Sequence, residues 1–241
     1  MNWRLVDSDL IAPAMASAVD EAILLSRAEG AVPDTLHLYR RSCPTISLGH
    51  FERMAECVDL EAARRSGVAL VRRMSGGSAI YTDPDQIVYA VVVGQGSVPE
   101  SPQETFRLLC QGVIAGLRGL GVEAEFKPIN DVLVRGRKIS GSAQVRRHGV
   151  VLQHGTLIVR ADHDRMLSVL RSKRTRDEMT SLAEEVAELP SMYDIKAALV
   201  AGFASVLGVE MVPGALTEAE RRRAETLARA TYDDPAHTRL Y

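Results

Sequence analysis

Two stretches of this 241-residue chain hold residue types that could do chemistry. The first is Arg73-Met74-Ser75-Gly76-Gly77-Ser78-Ala79. Adjacent glycines let backbone amides approach a ligand closely, because no Cβ intervenes. Successive turn amides form a concave nest that favours anions. Arg72 and Arg73 would add positive charge at its rim. The same residues also read as an ordinary β-turn that needs only a positive φ. The stretch is not a phosphate-binding P-loop, since no Gly-Lys-Ser/Thr follows. It is not a dinucleotide fingerprint either, since a strand rather than a helix comes next.

The second stretch runs from Asn130-Asp131 through Gly136-Arg137-Lys138-Ile139-Ser140-Gly141-Ser142-Ala143. A hairpin across Arg135-Gly136 brings Asp131 towards Lys138. Asp131 offers hard oxygens suited to Mg²⁺ on a nucleotide phosphate. Lys138 is a compact point charge able to sit between a carboxylate and a phosphate. Only four of the 29 basic residues are lysine, so a lysine here stands against an arginine-rich background. The small residues Ser140 to Ala143 leave room for a ligand to cross the strand. The alternative is a salt bridge on a solvated hairpin. A third element, Gln153-His154-Gly155-Thr156, places one histidine in a strand, where a hydrogen-bonded structural role is the ordinary one. Cys43, Cys57 and Cys110 have no local histidine partner, and none occurs after Cys110.

These residues need a scaffold, and the hydrophobic periodicity supplies one. Helices are expected at Pro13 to Arg27, Leu60 to Arg65, Thr105 to Leu120, Asp164 to Leu170, Ser191 to Val206 and Thr217 to Ala230. Thr217 and Glu220 form a capping box for the last of these. Strands are expected at Leu36 to Arg40, Thr45 to Gly49, Val68 to Arg72 and Ile87 to Val93. Strands and turns follow from Val122 to Val159, with hairpin turns at Arg135-Gly136 and His148-Gly149. Interspersed elements with central hairpins predict an α+β fold, a largely antiparallel mixed sheet flanked by helices.

Composition narrows the function. The chain is 46% apolar and 25% charged, with a formal charge of −2. No basic field is present to hold nucleic acid. The apolar run around Val88 to Val93 is too short for a membrane span, and MNWRLVDSDL is no secretory signal. The cysteines form no CxxC or CxxH pair, which argues against a zinc site or a disulfide scaffold. A monomer in a reducing cytoplasm, with residues 1–241 as one domain, is the expectation.

Together, RRMSGGSAIYTD, INDVLVRGRKISGSAQ and QHGTLIV, in that order, resemble the lipoate–protein ligase family. The stretch Met15 to Ala22 and the strand Thr45 to Gly49 are also similar to it. The resemblance implies ATP-dependent activation of lipoate or octanoate to an acyl-AMP such as lipoyl-AMP. The acyl group then passes to one lysine of a lipoyl-domain acceptor protein. It implies that Lys138 bridges the acid and the α-phosphate, that Asp131 binds Mg²⁺ or orients Lys138, and that Asn130 contacts the nucleotide. Arg73 and the amides of Ser75, Gly76, Gly77, Ser78 and Ala79 would hold the acyl end and the phosphate. Ser140, Gly141 and Ala143 would border the ligand and His154 would line the pocket. The acyl tunnel would include residues near Tyr39, Gly49 and His50. Ser78 stands where the family usually has a third glycine, and Thr82 where it usually has a histidine. Long members carry a separate C-terminal domain, so this chain resembles a short form in which that domain is absent or is replaced by a small separate accessory protein. The competing readings are a cysteine-dependent octanoyl or lipoyl transferase of the same superfamily, a biotin–protein ligase and a non-catalytic carrier-binding subunit.

Overall fold

The computed structural model describes residues 2–171 and 175–241. Eight strands form the main sheet, in the order β11(Glu210–Gly214), β1(Asn2–Ile11), β2(Thr35–Arg41), β6(Gln86–Gly94), β10(Val150–Ile158), β9(Arg137–Arg147), β8(Asp131–Val134) and β7(Glu125–Lys127). In this sheet only the β11–β1–β2 edge is parallel, and the other strand pairs are antiparallel. A small second sheet orders β4(Ala69–Arg72), β3(Thr45–Leu48) and β5(Ile80–Thr82). The architecture is therefore the expected mixed, largely antiparallel sheet.

Helices cover both faces. On one side α4(Pro102–Gly119) packs on α7(Met192–Leu207) and on the sheet. Gly112, Gly116 and Gly202 allow that close crossing: a Cβ on Gly202 would lie 2.3 Å from the Gly112 carbonyl oxygen. On the other side α1(Pro13–Ala28) lies under α8(Glu218–Leu227). Pro13 at the first turn starts α1 without losing a helical hydrogen bond. The remaining short helices are α2(Met54–Cys57), α3(Leu60–Arg65), α5(His163–Val169), α6(Leu182–Glu185) and α9(Pro235–Thr238).

The strand β1 is hard to see in the sequence for a physical reason. A register shift between Asp7 and Asp9 breaks its alternation. Its outer partner, β11, lies some 200 residues away along the chain. The hairpin turns are plainer: Arg135-Gly136 and His148-Gly149 all have positive φ, which fits the tight turns that match strand twist. Helix α8 is shorter than the span from Thr217 to Ala230 that its periodicity predicts. After Leu227 the chain widens into a π-type turn over Ala228–Tyr232, which buries Tyr232.

Candidate active site

One face of the main sheet is the floor of a cavity of about 550 Å³. Register fixes which residues form it, because cross-strand partners point the same way. One row runs Asp131, Gly141, Thr156, Val88, Tyr39 across β8, β9, β10, β6 and β2. The next row holds Ala143, His154, Ala90 and His37.

Lys138 reaches this face through a bulge. Asp131 pairs with Gly141 and Val132 with Ser140, but Leu133 pairs with Lys138. One extra residue, Ile139, is thus accommodated on β9. Without it, Ile139 would share the face of Asp131 and Lys138 would point to the far side. With it, Ile139 joins Val132 and Val134 in the core, and the Lys138 Nζ lies 2.6 Å from the Asp131 Oδ1. Gly141 makes room for that side chain: a Cβ there would lie 2.3 Å from the ammonium nitrogen.

The Gly-rich turn closes over the floor. Gly77 takes φ +89°, and its carbonyl packs so tightly on Gly49 that a Cβ at residue 49 would lie 1.8 Å from it. Neither arginine stands at the rim. The Arg73 guanidinium is buried and donates to the carbonyls of Ser47, Gly76 and Ser78 at 2.7, 2.7 and 2.9 Å. Burial lowers its pKa to about 10. Arg72 donates to the carbonyls of Gly49, Glu52 and Thr238 at 2.7, 2.8 and 2.9 Å. Turn carbonyls without strand partners need donors, and each guanidinium supplies up to five.

A polar relay lies over the second row. Arg73 Nε donates to the Ser75 hydroxyl at 3.1 Å, and Ser75 Oγ lies 2.6 Å from His154 Nε2. His154 Nδ1 is 3.2 Å from one oxygen of Asp20, and Tyr39 donates to the same oxygen at 3.0 Å. His37 Nδ1 is 2.9 Å from the other oxygen. Burial alone would raise the Asp20 carboxyl, but the hydrogen bonds from His154 and His37 outweigh it and hold it well below the usual range. An ionised carboxylate only accepts. Each imidazole therefore donates to Asp20 from Nδ1, and the Ser75 hydroxyl, which accepts from Arg73, shares a hydrogen bond with His154 Nε2. With both ring nitrogens engaged, His154 presents a ring edge to the cavity. Ser75 is itself fully buried.

Of the residues singled out in the sequence, Tyr39, Arg73, Gly77, Ser78 and Ala79 line the cavity, as do Asn130, Asp131, Lys138, Gly141, Ala143 and His154. Asn130 spends its amide on the Ser142 carbonyl, tying the end of β8 to β9. Ser75, Gly76 and Gly49 shape the turn from behind. Ser140 faces the opposite side, 3.4 Å from the Tyr89 hydroxyl. His50 lies outside the cavity lining, against Phe51 at 4.6 Å and Tyr241 at 6.1 Å. Its amide holds the Ser75 carbonyl at 2.8 Å, so its part is to fix the turn. Asp20 and His37 emerge only from the fold. The signal for Asp20 was an acid among the apolar residues of α1; for His37, nothing local.

Cys57 lines the cavity, and its thiol is pushed up by burial and by nearby Glu52. Cys110 is buried in α4 and burial raises its thiol to about 11. Among the described residues, no group of three or more His, Cys, Asp or Glu side chains is gathered to hold a metal. None of the helices there is long and apolar enough to cross a membrane.

Residues 12–204 match the lipoyl protein ligase A/B catalytic domain. The chain belongs to this family. It is 37% identical over 260 residues to octanoyltransferase LipM of Kyrpidia tusciae, covering 94% of each protein. A lipoate-protein ligase A solved with ATP bound superimposes with a TM-score of 0.91 at 28% identity, over the full length of both chains. The bi-partite lipoate protein ligase of Thermoplasma acidophilum superimposes with a TM-score of 0.90 at 27% identity, over 100% of this chain and 98% of that one. Family membership makes the chain an enzyme of the lipoate ligase and acyltransferase group. The two activities differ in how the acyl group is activated.

Proposed function

We propose that this chain is an ATP-dependent lipoate–protein ligase. The observation that carries the reading is the ammonium of Lys138, set beside Asp131 on the floor of the cavity by the β9 bulge. In the first half-reaction a carboxylate oxygen of the acid attacks the α-phosphorus of ATP, the bond to the bridging oxygen breaks, and pyrophosphate leaves. Two anions must approach each other. A fixed ammonium between them offsets the repulsion as charge builds in the transition state. The turn amides of Gly77, Ser78 and Ala79 add partial positive charge without a mobile counter-ion. In the second half-reaction the ε-amine of a carrier lysine attacks the acyl carbonyl, an amide forms and AMP leaves.

Magnesium fits this site as an ion carried by the nucleotide. Asp131 is one carboxylate, already next to Lys138, and Mg²⁺ is commonly held by one or two carboxylates together with substrate phosphates. The reading places the enzyme in the cytoplasm, with ATP and the lipoyl carrier. By analogy with the bi-partite relative, a small separate protein would complete the closed state around ATP.

The second reading is octanoyl transfer through a cysteine thioester, favoured by the name of the LipM relative. A nucleophilic thiol is normally activated by a lowered pKa. Here the cavity thiol of Cys57 is shifted the other way. The test is an intact-mass assay on purified lipoyl domain. With ATP, Mg²⁺ and lipoate or octanoate, the ligase reading expects acylation with pyrophosphate release. The variant Cys43→Ser/Cys57→Ser/Cys110→Ala should keep activity within about threefold, a small energy by the relation of rate to barrier. Acylation that needs an acyl-carrier donor but no ATP, with an adduct on Cys57, would replace this reading by the second. The accessory protein is dispensable if the chain alone turns over at about 1 s⁻¹, an ordinary rate.

A further inference from the structure

Lys138 sits where β9 changes neighbours. The ladder between β9 and β10 ends at Ser140 and Leu157, while the ladder with β8 continues through Lys138 to Arg137. Beside Lys138 another segment takes the place of β10. Met179 forms a parallel bridge with Lys138, and the Thr180 amide donates to the Lys138 carbonyl at 2.9 Å. The backbone that carries the ammonium is thus held by β8 on one side and by Thr180 on the other.

A carboxylate in turn holds Thr180. The Thr180 hydroxyl donates to Oε1 of Glu185 at 2.7 Å. Arg137, the residue before Lys138, donates Nη2 to the same oxygen at 2.6 Å. Glu184 is the looser partner of both, at 3.1 and 3.4 Å. The Glu185 side chain is 1% exposed and that of Glu184 38%, so water competes far less for the first carboxylate. Hydrogen bonds to an ionised group are roughly twice as strong as those between neutral groups. The exposed Arg135 stands 3.5 Å from the other oxygen of Glu185. Glu185 is itself fixed to the body of the protein. Leu182, at the start of α6, is buried in the core, and the Ala183 amide donates to the Val159 carbonyl at 3.0 Å. Thr180, Glu185 and Arg137 are all outside the cavity lining, so their path to the site runs through the backbone of Lys138.

We infer that Glu185, acting through Thr180 and Arg137, is a positioning residue for the Lys138 ammonium. The inference rests on the role given to Lys138 in the proposed function. The bulge decides the face on which Lys138 emerges, and the brace decides how closely its backbone is held there. A misplacement of about 1 Å can cost on the order of a hundredfold in rate. The ammonium acts as two anions approach each other, so loosening it falls on kcat more than on KM. A brace that served stability alone would lower the unfolding midpoint and leave kcat of the folded protein unchanged.

The test follows Glu185→Ala, Glu185→Gln and Thr180→Val in the whole chain, by pyrophosphate release with lipoate and ATP and by NMR of the lysine side chains. Only four lysines are present, and the Lys138 signal is the one lost in Lys138→Arg. Glu185→Ala should lower kcat about 30-fold with KM for lipoate within about twofold. It should also move the Lys138 ε-methylene signal while those of Lys127 and Lys196 stay in place. Glu185→Gln keeps an acceptor oxygen for Thr180 and Arg137 and should stay within about threefold of the wild-type kcat. Thr180→Val replaces the hydroxyl by a methyl group and should lower kcat about fivefold. If Glu185→Ala does not fold, Thr180→Val set against Glu185→Gln decides. A wild-type kcat with an unmoved Lys138 signal in Glu185→Ala or Thr180→Val overturns the inference, as does Glu185→Gln being as slow as Glu185→Ala. If the Lys138 signal moves as expected but the wild type releases no pyrophosphate, the brace stands and the ligase reading falls.

Discussion

Arg4–Glu220 and Lys138–Asp131 are both close ion pairs, each with its nearest atoms 2.6 Å apart. They differ in what surrounds them. Both oxygens of Glu220 accept from the Arg4 guanidinium, and one also takes the Thr217 amide that caps α8. Arg4 spends its Nε on Thr35. The pair is enclosed by chain on every side and joins β1 to α8. Lys138 and Asp131 form part of a cavity wall. The same chemistry is structural where protein surrounds the charges and available for catalysis where a ligand can reach them.

The comparison predicts that activity and stability separate cleanly. The largest effect is expected for Lys138→Ala. Adenylate formation, followed as pyrophosphate release, should fall about a thousandfold, in line with removal of one donor from a preorganised anion site. The melting temperature should move by less than about 2 °C, as for a change of under 1 kcal/mol in a chain of this size. Equal losses of activity and stability would erase the distinction. Glu220→Ala should do the reverse. It leaves a guanidinium buried without its carboxylate, a loss of about 3 kcal/mol or roughly 6–12 °C in melting temperature. The activity of the protein that remains folded at 20 °C should stay within about twofold, which is well under 1 kcal/mol in barrier height.

Two smaller changes sharpen the contrast. Gly141→Ala puts a methyl group where the Lys138 chain now lies. The far end of a lysine can yield, so the fold should tolerate it, while displacement of the ammonium should lower kcat about tenfold, or about 1.4 kcal/mol in barrier height. A wild-type rate would show that the position of Lys138 is not critical. Thr217→Ala removes one half of the capping box on α8 and should cost about 1 kcal/mol, read by urea unfolding, with kcat unchanged.

What could be read from the sequence was local. The periodicity of α1 and α3, the capping box of α8, the turns at Arg135-Gly136 and His148-Gly149, and the hairpin joining Asp131 to Lys138 all depend on residues a few positions apart. The role of Ser75 depends on Arg73, His154 and Asp20, which three different elements bring together. No spacing in the sequence predicts that. The inward turn of Arg72 and Arg73 was equally hidden, since the carbonyls they hold come from β3, α9 and the turns at Gly49–Glu52 and Gly76–Ser78, which only the fold gathers. The bulge at Ile139 is an intermediate case. The alternation of RKISGSA permits it, but only the paired strand shows on which face Lys138 emerges.

The closure of β1 by β11 has a consequence in time. Arg4 and Glu220 are 216 residues apart along the chain, and Arg4 leaves the ribosome first. At about 5–20 residues per second the two are separated by roughly ten to forty seconds of synthesis. During that interval β2 can pair with β1 on one side, but its other edge and the underside of α1 have no cover. The nascent chain therefore carries an open parallel edge and a guanidinium without its counter-charge until β11 and α8 emerge. Slow steps in biogenesis, and any need for a chaperone, should concentrate at that edge and not at the hairpin of Asp131 and Lys138, whose strands are made within seconds of each other.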